Sequence, residues 1–356
     1  MTLGCLMVDV AGRSLLPEDR DVLEHPLVGG VILFTRNFTD ASQLMALVAE
    51  IQALRTPRLL VAVDHEGGRV QRFRSDFTVL PAMHRIGREY AMHATQGREL
   101  ARQAGWLIGS ELRAVGIDLA FAPVVDLDYG VNEAIGHRAF HADPAVVSLL
   151  AGALMAGLRE AGMSATAKHF PGHGAVAADS HVAVPVDRRE LADLEPELMP
   201  YRRLIANGLP SIMMSHVVFP AVDSLPASLS RRWVGEVLRG ELNFQGAVLT
   251  DDLSMAGAAA FGGVRARAEL ALEAGCDMLL VCNSRPAVLE LLAALDPAPR
   301  PASALRIARL HGRAAAVGPE ARDALRASTA WQEAHAALER CREARPELSL
   351  DGDARA

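Results

Sequence analysis

Ala165-Thr-Ala-Lys-His-Phe-Pro-Gly-His-Gly174 decides how the chain is read. The run starts apolar and β-branched, turns charged at Lys168-His169, and breaks at Pro171-Gly172, which cannot continue a ladder. A buried strand whose C-terminal end carries charge is a site, because unpaired charge is costly in a core. Four other segments repeat the pattern. One apolar run ends in Asp64 and continues His-Glu-Gly-Gly-Arg-Val-Gln-Arg72; another ends near Asp126 and Asp128; the last two end in Ser215-His216 and Thr250-Asp251-Asp252. Candidate strands in chain order are Leu6–Val10, Gly30–Thr35, Leu59–Asp64, Asp118–Val125, Ala165–His169, Ile212–His216, Ala247–Asp251 and Met278–Cys282. Most are continuous apolar runs, as expected of parallel strands covered on both faces.

The segments between them have helical period. Asp40 is placed to cap a helix with Gln43 three residues on, and Leu44, Leu47, Val48, Ile51 and Leu54 follow on one face. A second helix runs from about Gly97 to Val115, with Leu100, Ala104, Leu107, Ile108 and Leu112 as its stripe. Pro144–Ala161, Leu191–Asn207, Arg231–Glu241 and Val264–Ala274 are further candidates. Eight strands alternating with helices predict a (β/α)8 barrel, with its chemistry at the C-terminal strand ends. A doubly wound open sheet shares the alternation, and the pattern by itself leaves it open. Beyond about residue 285 the chain is Ala- and Arg-rich and reads as helices packed on the barrel. No linker or repeat marks a second domain, so residues 1–345 are expected to form one catalytic domain, with a loose tail over 346–356.

The 356 residues are 50% hydrophobic and 22% charged, which excludes wholesale disorder. A net charge of −7 without a long basic run excludes the usual nucleic-acid or anionic-membrane binder. Met1–Asp9 has no basic region ahead of its apolar residues and does not read as a secretory signal. No window is long and apolar enough to span a bilayer. Cys5, Cys276, Cys282 and Cys341 are scattered, which suits reduced thiols and a cytoplasmic location.

Neighbouring side chains on a strand point to opposite faces, so Asp251 and Asp252 cannot both look into one site. Read locally, the pair could equally cap the helix that follows. His169, His173, Asp179 and His181 fall within 13 residues and invite a metal reading. Their spacing is not that of a helical HExxH, and Pro171-Gly172 exclude a regular helix, so no metal is expected. Neither GxGxxG nor GxxxxGK[ST] occurs, and no cofactor is implied.

Lys168-His-Phe-Pro-Gly-His-Gly174 with Asp179 and His181, and Leu249-Thr-Asp-Asp-Leu-Ser-Met255, together resemble glycoside hydrolase family 3. The similarity is to its short single-domain bacterial β-N-acetylglucosaminidases, which trim cell-wall muropeptides during recycling. Gly29-Gly-Val-Ile-Leu-Phe-Thr-Arg-Asn37, Val63-Asp-His-Glu-Gly-Gly-Arg69, Ala122-Pro-Val-Val-Asp126 and Gly136-His-Arg-Ala-Phe-His-Ala-Asp-Pro144 fit the same family in the same order. The resemblance implies a (β/α)8 barrel and cleavage with retention through a covalent glycosyl-enzyme. It assigns Asp251 as nucleophile, His181 as acid/base and Asp179 as the carboxylate orienting His181. It places Asp64, Arg72, Arg138, Lys168 and His169 on the hydroxyls of N-acetylglucosamine. Glu66, Arg69, Asp126 and His216 are read as supporting scaffold. His65 stands where relatives often carry Gln.

The residue chemistry agrees with that assignment. Retention needs a nucleophile beneath the anomeric carbon and an acid at the leaving oxygen. An imidazole with an ordinary pKa of about 6.5 can both give and take that proton. The expected activity is therefore that of a cytoplasmic exo-β-N-acetylglucosaminidase acting on a small carbohydrate, with neither nucleic acid, membrane nor obligate protein partner. Phosphorolysis on the same scaffold, a Schiff-base aldolase using Lys168, and an inactive sugar-binding barrel are the alternatives.

Overall fold

The protein was analysed as a computed structural model that describes residues 3–177, 184–313 and 315–343. Its central strands are β1 (Leu6–Val8), β2 (Val28–Leu33), β3 (Leu60–Val63), β4 (Leu119–Ala120), β5 (Thr166–Phe170), β6 (Ser211–Met214), β7 (Ala247–Thr250) and β8 (Leu279–Val281). Parallel ladders run in the order β8-β1-β2-β3-β4 and β5-β6-β7. Isolated parallel bridges close both remaining seams: Leu119 with Ser164 and Val124 with Lys168 join β4 to β5, and Leu249 with Met278 joins β7 to β8. Because those bridges join the two ladders at both ends, the sheet closes on itself and has no edge. The open-sheet alternative is thereby excluded, and the (β/α)8 expectation holds.

Residue parity divides the barrel into two cores. Met7, Ile32, Leu60, Ala62, Met213, Ala247, Leu249 and Leu280 pack together inside the barrel. Their neighbours Leu6, Val8, Val31, Leu33, Val61, Val63, Ile212 and Val248 face the surrounding helices. The closed sheet demands tight approaches. A side chain on Gly29 would put its Cβ 2.1 Å from the Gly4 carbonyl oxygen, so only glycine fits where β2 passes the start of β1.

The helices fall where the apolar stripes place them. Ala41–Ala53 begins with the Asp40 side chain accepting from the Gln43 amide at 2.9 Å, and Leu44, Leu47, Val48 and Ile51 are buried. Ala94–Ala114 starts three residues earlier than expected and buries its whole stripe. Pro144–Glu160 and Val264–Ala274 match their expected positions, Glu195–Ala206 begins four residues later than expected, behind a 3-10 turn over Leu191–Leu194, and Arg232–Glu241 is wound with i→i+5 turns.

Six strands are shorter than expected, β4 most of all, while β2 keeps its length but lies two residues nearer the N-terminus. β4 stops at Ala120 because Pro123 has no N–H for the ladder, which resumes as the single Val124–Lys168 bridge. β2 stops at Leu33 because the Asn37 side chain accepts from the Phe34 amide at 2.8 Å and turns the chain away.

Residues beyond 285 are helical, as expected: Arg285–Ala294, Pro301–Ala308, Pro319–Ala327 and Thr329–Glu343. Ile307 and Leu310 join the inner core and plug the N-terminal floor of the barrel. The expected tail over 346–356 lies outside the described residues. No described helix is long and apolar enough to cross a membrane.

Candidate active site

Strand parity carries over to the C-terminal ends. Asp64 continues the inward set Leu60 and Ala62, and Asp251 continues Ala247 and Leu249. Both reach a cavity of about 500 Å³ that Arg72, Arg138, Lys168 and His169 also line. Six of the eight expected site residues thus meet in one place. The other two, Asp179 and His181, lie outside the described residues.

The cavity wall is a network of paired charge. Lys168 Nζ, though buried, sits 2.8 Å from Asp64 Oδ1 and 2.6 Å from Glu66 Oε1. Arg138 grips Glu66 with two parallel bonds of 2.8 Å, from Nε and Nη2, and Arg72 Nη2 reaches Asp64 Oδ2 at 3.2 Å. Burial by itself would raise the Asp64 pKa; Lys168 and then Arg72 outweigh it and hold the carboxyl well below its usual range. Burial acts the same way on Glu66, and Arg138 and Lys168 outweigh it to keep the carboxylate charged. Burial favours neutral Lys168, but Asp64 and Glu66 reverse that and raise its pKa. At neutral pH the wall is therefore fully ionised and presents charged donors and acceptors at fixed spacing, which suits vicinal hydroxyls.

Glu66 is more central than its sequence reading as scaffold suggested. The chain stays extended through His65–Gly67, so Glu66 shares the parity of Asp64 and faces the same cavity. That alternation was the available signal. His65 points the other way, buried against Phe73 and Phe77 with ring centroids 6.1 and 5.9 Å away. Burial pushes its pKa down to about 3, so it is a neutral packing residue.

A second cluster shapes the segment after β5. His169 Nδ1 donates to Asp126 Oδ2 at 2.7 Å, leaving Nε2 facing Arg138 Nη2 at 3.5 Å. The His173 amide donates to Asp126 Oδ1 at 2.8 Å. Asn132 Nδ2 donates to the carbonyls of His173 and Val176 at 2.7 and 2.6 Å. Gly174 makes this fold-back possible, since a Cβ there would lie 1.9 Å from the Leu127 carbonyl oxygen. Asp126 is thus scaffold, as expected, and fixes the His169 ring.

The two aspartates after β7 are separated in role. Asp251 Oδ1 accepts from the Asp252 amide at 2.8 Å. Asp252 is committed elsewhere: it accepts from the Ser254 and Cys282 amides at 2.9 and 3.1 Å and from the Ser254 hydroxyl at 2.8 Å. Burial pushes the Asp252 pKa up to about 6. Beneath the pair, His216 Nε2 donates to the Asp252 carbonyl at 2.9 Å, which leaves Nδ1 to accept from the Ser228 hydroxyl at 2.7 Å. His216 is scaffold, as expected. Among the described residues, no group of three or more His, Cys, Asp or Glu is arranged to hold a metal ion.

Residues 6–310 match the family described as the glycosyl hydrolase family 3 N-terminal domain. The chain belongs to glycoside hydrolase family 3. It is 53% identical over 338 residues to a β-hexosaminidase of Thioalkalivibrio sulfidiphilus, covering 95% of this chain and 96% of that one. A β-hexosaminidase of Thiobacillus denitrificans is 55% identical over 317 residues, 88% of each chain. Among solved structures, NagZ from Neisseria gonorrhoeae in complex with N-trifluoroacetyl-D-glucosamine superposes with a TM-score of 0.91 at 42% identity, covering 97% of this chain and 99% of that one. The barrel is accordingly that of a family 3 glycoside hydrolase.

Proposed function

We propose that the protein is a β-hexosaminidase that removes terminal, non-reducing β-linked N-acetylglucosamine from cell-wall muropeptides, with retention of configuration. The observation that carries this reading is the cavity itself, where inward-facing Asp251 meets the Asp64–Lys168–Glu66–Arg138 network. Asp251 attacks the anomeric carbon while His181 protonates the leaving oxygen, forming a covalent glycosyl-enzyme. His181 then takes a proton from water, which releases the sugar and regenerates Asp251. Asp179 orients the His181 ring and favours its protonated form. Asp64, Arg72, Arg138, Lys168 and His169 hold the sugar hydroxyls. No metal or cofactor enters this scheme. Residues 1–345 act as one catalytic domain and 346–356 as an appendage. The relatives' name, β-hexosaminidase, and the N-trifluoroacetyl-D-glucosamine bound to NagZ support the substrate class, and four scattered, buried cysteines suit a reducing, cytoplasmic setting.

The test compares aryl β-N-acetylglucosaminide with aryl β-glucoside, with and without phosphate and with EDTA. Strong preference for the acetamido sugar, release of free N-acetylglucosamine in phosphate, and indifference to EDTA are expected. Comparable kcat/KM on both sugars overturns the substrate reading. A sugar 1-phosphate product replaces hydrolysis with phosphorolysis, the second reading, since a histidine acid/base repels incoming phosphate less than a carboxylate does.

A further inference from the structure

The family match ends at residue 310, yet the helices beyond it reach back to the segment that carries Arg72. Glu111, buried on helix Ala94–Ala114, is the junction. Its Oε2 accepts from the Thr78 amide at 2.9 Å; its Oε1 accepts from the Thr78 hydroxyl at 2.6 Å and from the Trp331 indole N–H at 2.8 Å. The Trp331 ring stacks on His335 at 4.5 Å, and His335 Nδ1 lies 3.1 Å from the same Thr78 hydroxyl. On the preceding helix, Pro319–Ala327, Arg322 and Arg326 both donate to the Asp76 carbonyl.

From Thr78 the contacts run inward. Buried Gln71 spans the loop, its Nε2 donating to the Thr78 and Phe73 carbonyls at 2.8 and 2.9 Å, and its Oε1 accepting from the Leu80 amide at 3.0 Å. Gln71 is the covalent neighbour of Arg72, whose amide donates to the Asp64 carbonyl and whose guanidinium pairs with the Asp64 side chain. Trp331, Glu111, Thr78 and Gln71 therefore form an unbroken chain of hydrogen bonds whose last member is covalently joined to Arg72 of the cavity wall.

We propose that Trp331 and Glu111 are positioning residues: helices 319–343 brace the 72–80 loop and hold Arg72 in its sugar-binding place. This rests on the reading of Arg72 as a substrate-binding residue. A brace that fixes a binding side chain, and takes no part in bond making, changes KM and spares kcat.

The experiment measures kcat, KM and Tm on aryl β-N-acetylglucosaminide for the full chain carrying Trp331→Phe, Glu111→Gln, Arg72→Ala or Leu158→Ala. Trp331→Phe keeps the stacked ring and removes only the N–H. Both brace variants are expected to raise KM about fivefold, the scale of one net hydrogen bond, with kcat within about twofold. Leu158→Ala, which empties a buried core site on helix Pro144–Glu160 and removes no member of the hydrogen-bonded brace, controls for destabilisation alone and is expected to lower Tm with KM unchanged. If Arg72→Ala raises KM and the brace variants do not, the proposal falls while the substrate-binding reading stands. If Leu158→Ala raises KM as the brace variants do, the effect is general loosening and the proposal also falls. If Arg72→Ala leaves KM unchanged, the reading of Arg72 fails and takes the brace with it.

Discussion

Two neighbouring aspartates follow β7, and their hydrogen bonds divide the work between them. Asp252 spends its acceptors on Ser254 and Cys282 and so holds the turn, while Asp251 faces the cavity. Asp251→Ala is expected to abolish turnover on every substrate, by several orders of magnitude, because the two-step route disappears. His181→Ala is expected to behave differently, since acid help matters most for a poor leaving group. It should slow a natural disaccharide severely and spare the first step on a nitrophenyl glycoside, giving a burst followed by slow turnover. Azide needs no general base and should restore turnover as the β-glycosyl azide. Pre-steady-state kinetics on both substrates reads the contrast; equal losses without azide rescue move the acid/base role away from His181.

At the scale of elements, Glu66 ties together the extension of β3, the turn carrying Arg138 and the end of β5. Its depressed pKa makes this a pH-dependent tie. A carboxylate stabilised in the fold contributes fully above its unfolded pKa of about 4.3, and the contribution is lost as pH falls through the lower folded value. Glu66→Gln leaves Arg138 and Lys168 short of a buried partner and is expected to cost about 3 kcal/mol at pH 7. The difference from wild type should start to shrink as pH falls below the unfolded value of about 4.3, where the unfolded chain takes up the proton. It should vanish once pH has passed the lower folded value. Urea unfolding across pH 3–7 measures this. A difference independent of pH shows that shape rather than charge accounts for the loss.

At the scale of the whole molecule, closure is what makes the site. Inward residues of every strand converge on one axis, sealed at the floor by Ile307 and Leu310 from a helix and turn distant in sequence. Leu310 is fully buried, so Leu310→Ala should open a cavity beneath the barrel and cost about 3 kcal/mol in global stability. Below its lowered Tm, the variant should keep kcat/KM, because the floor and the site lie at opposite ends. Calorimetry paired with steady-state kinetics checks both parts.

Much of this protein was legible along the chain, and the reason is periodicity. Short apolar runs and period-3.6 stripes are local properties, so the eight strands, the Asp40 cap and the stripe of helix Ala94–Ala114 could be read without neighbours. Charges placed at strand ends, and the opposite facing of Asp251 and Asp252, are equally local, whereas the choice of Asp251 as the inward member came from the family resemblance. Closure, by contrast, required the Leu119–Ser164, Val124–Lys168 and Leu249–Met278 bridges, which no sequence pattern announces. The parity that turns Glu66 toward the cavity is local, but only the tertiary structure showed its pairing with Arg138 and Lys168, 72 and 102 positions away in sequence. It alone gave the helices beyond 310 a connection to the site, through one buried carboxylate that meets Thr78 and Trp331 together. Sequence determines what a segment does with its own neighbours; pairing of buried charge depends on distances that exist only once the barrel has closed.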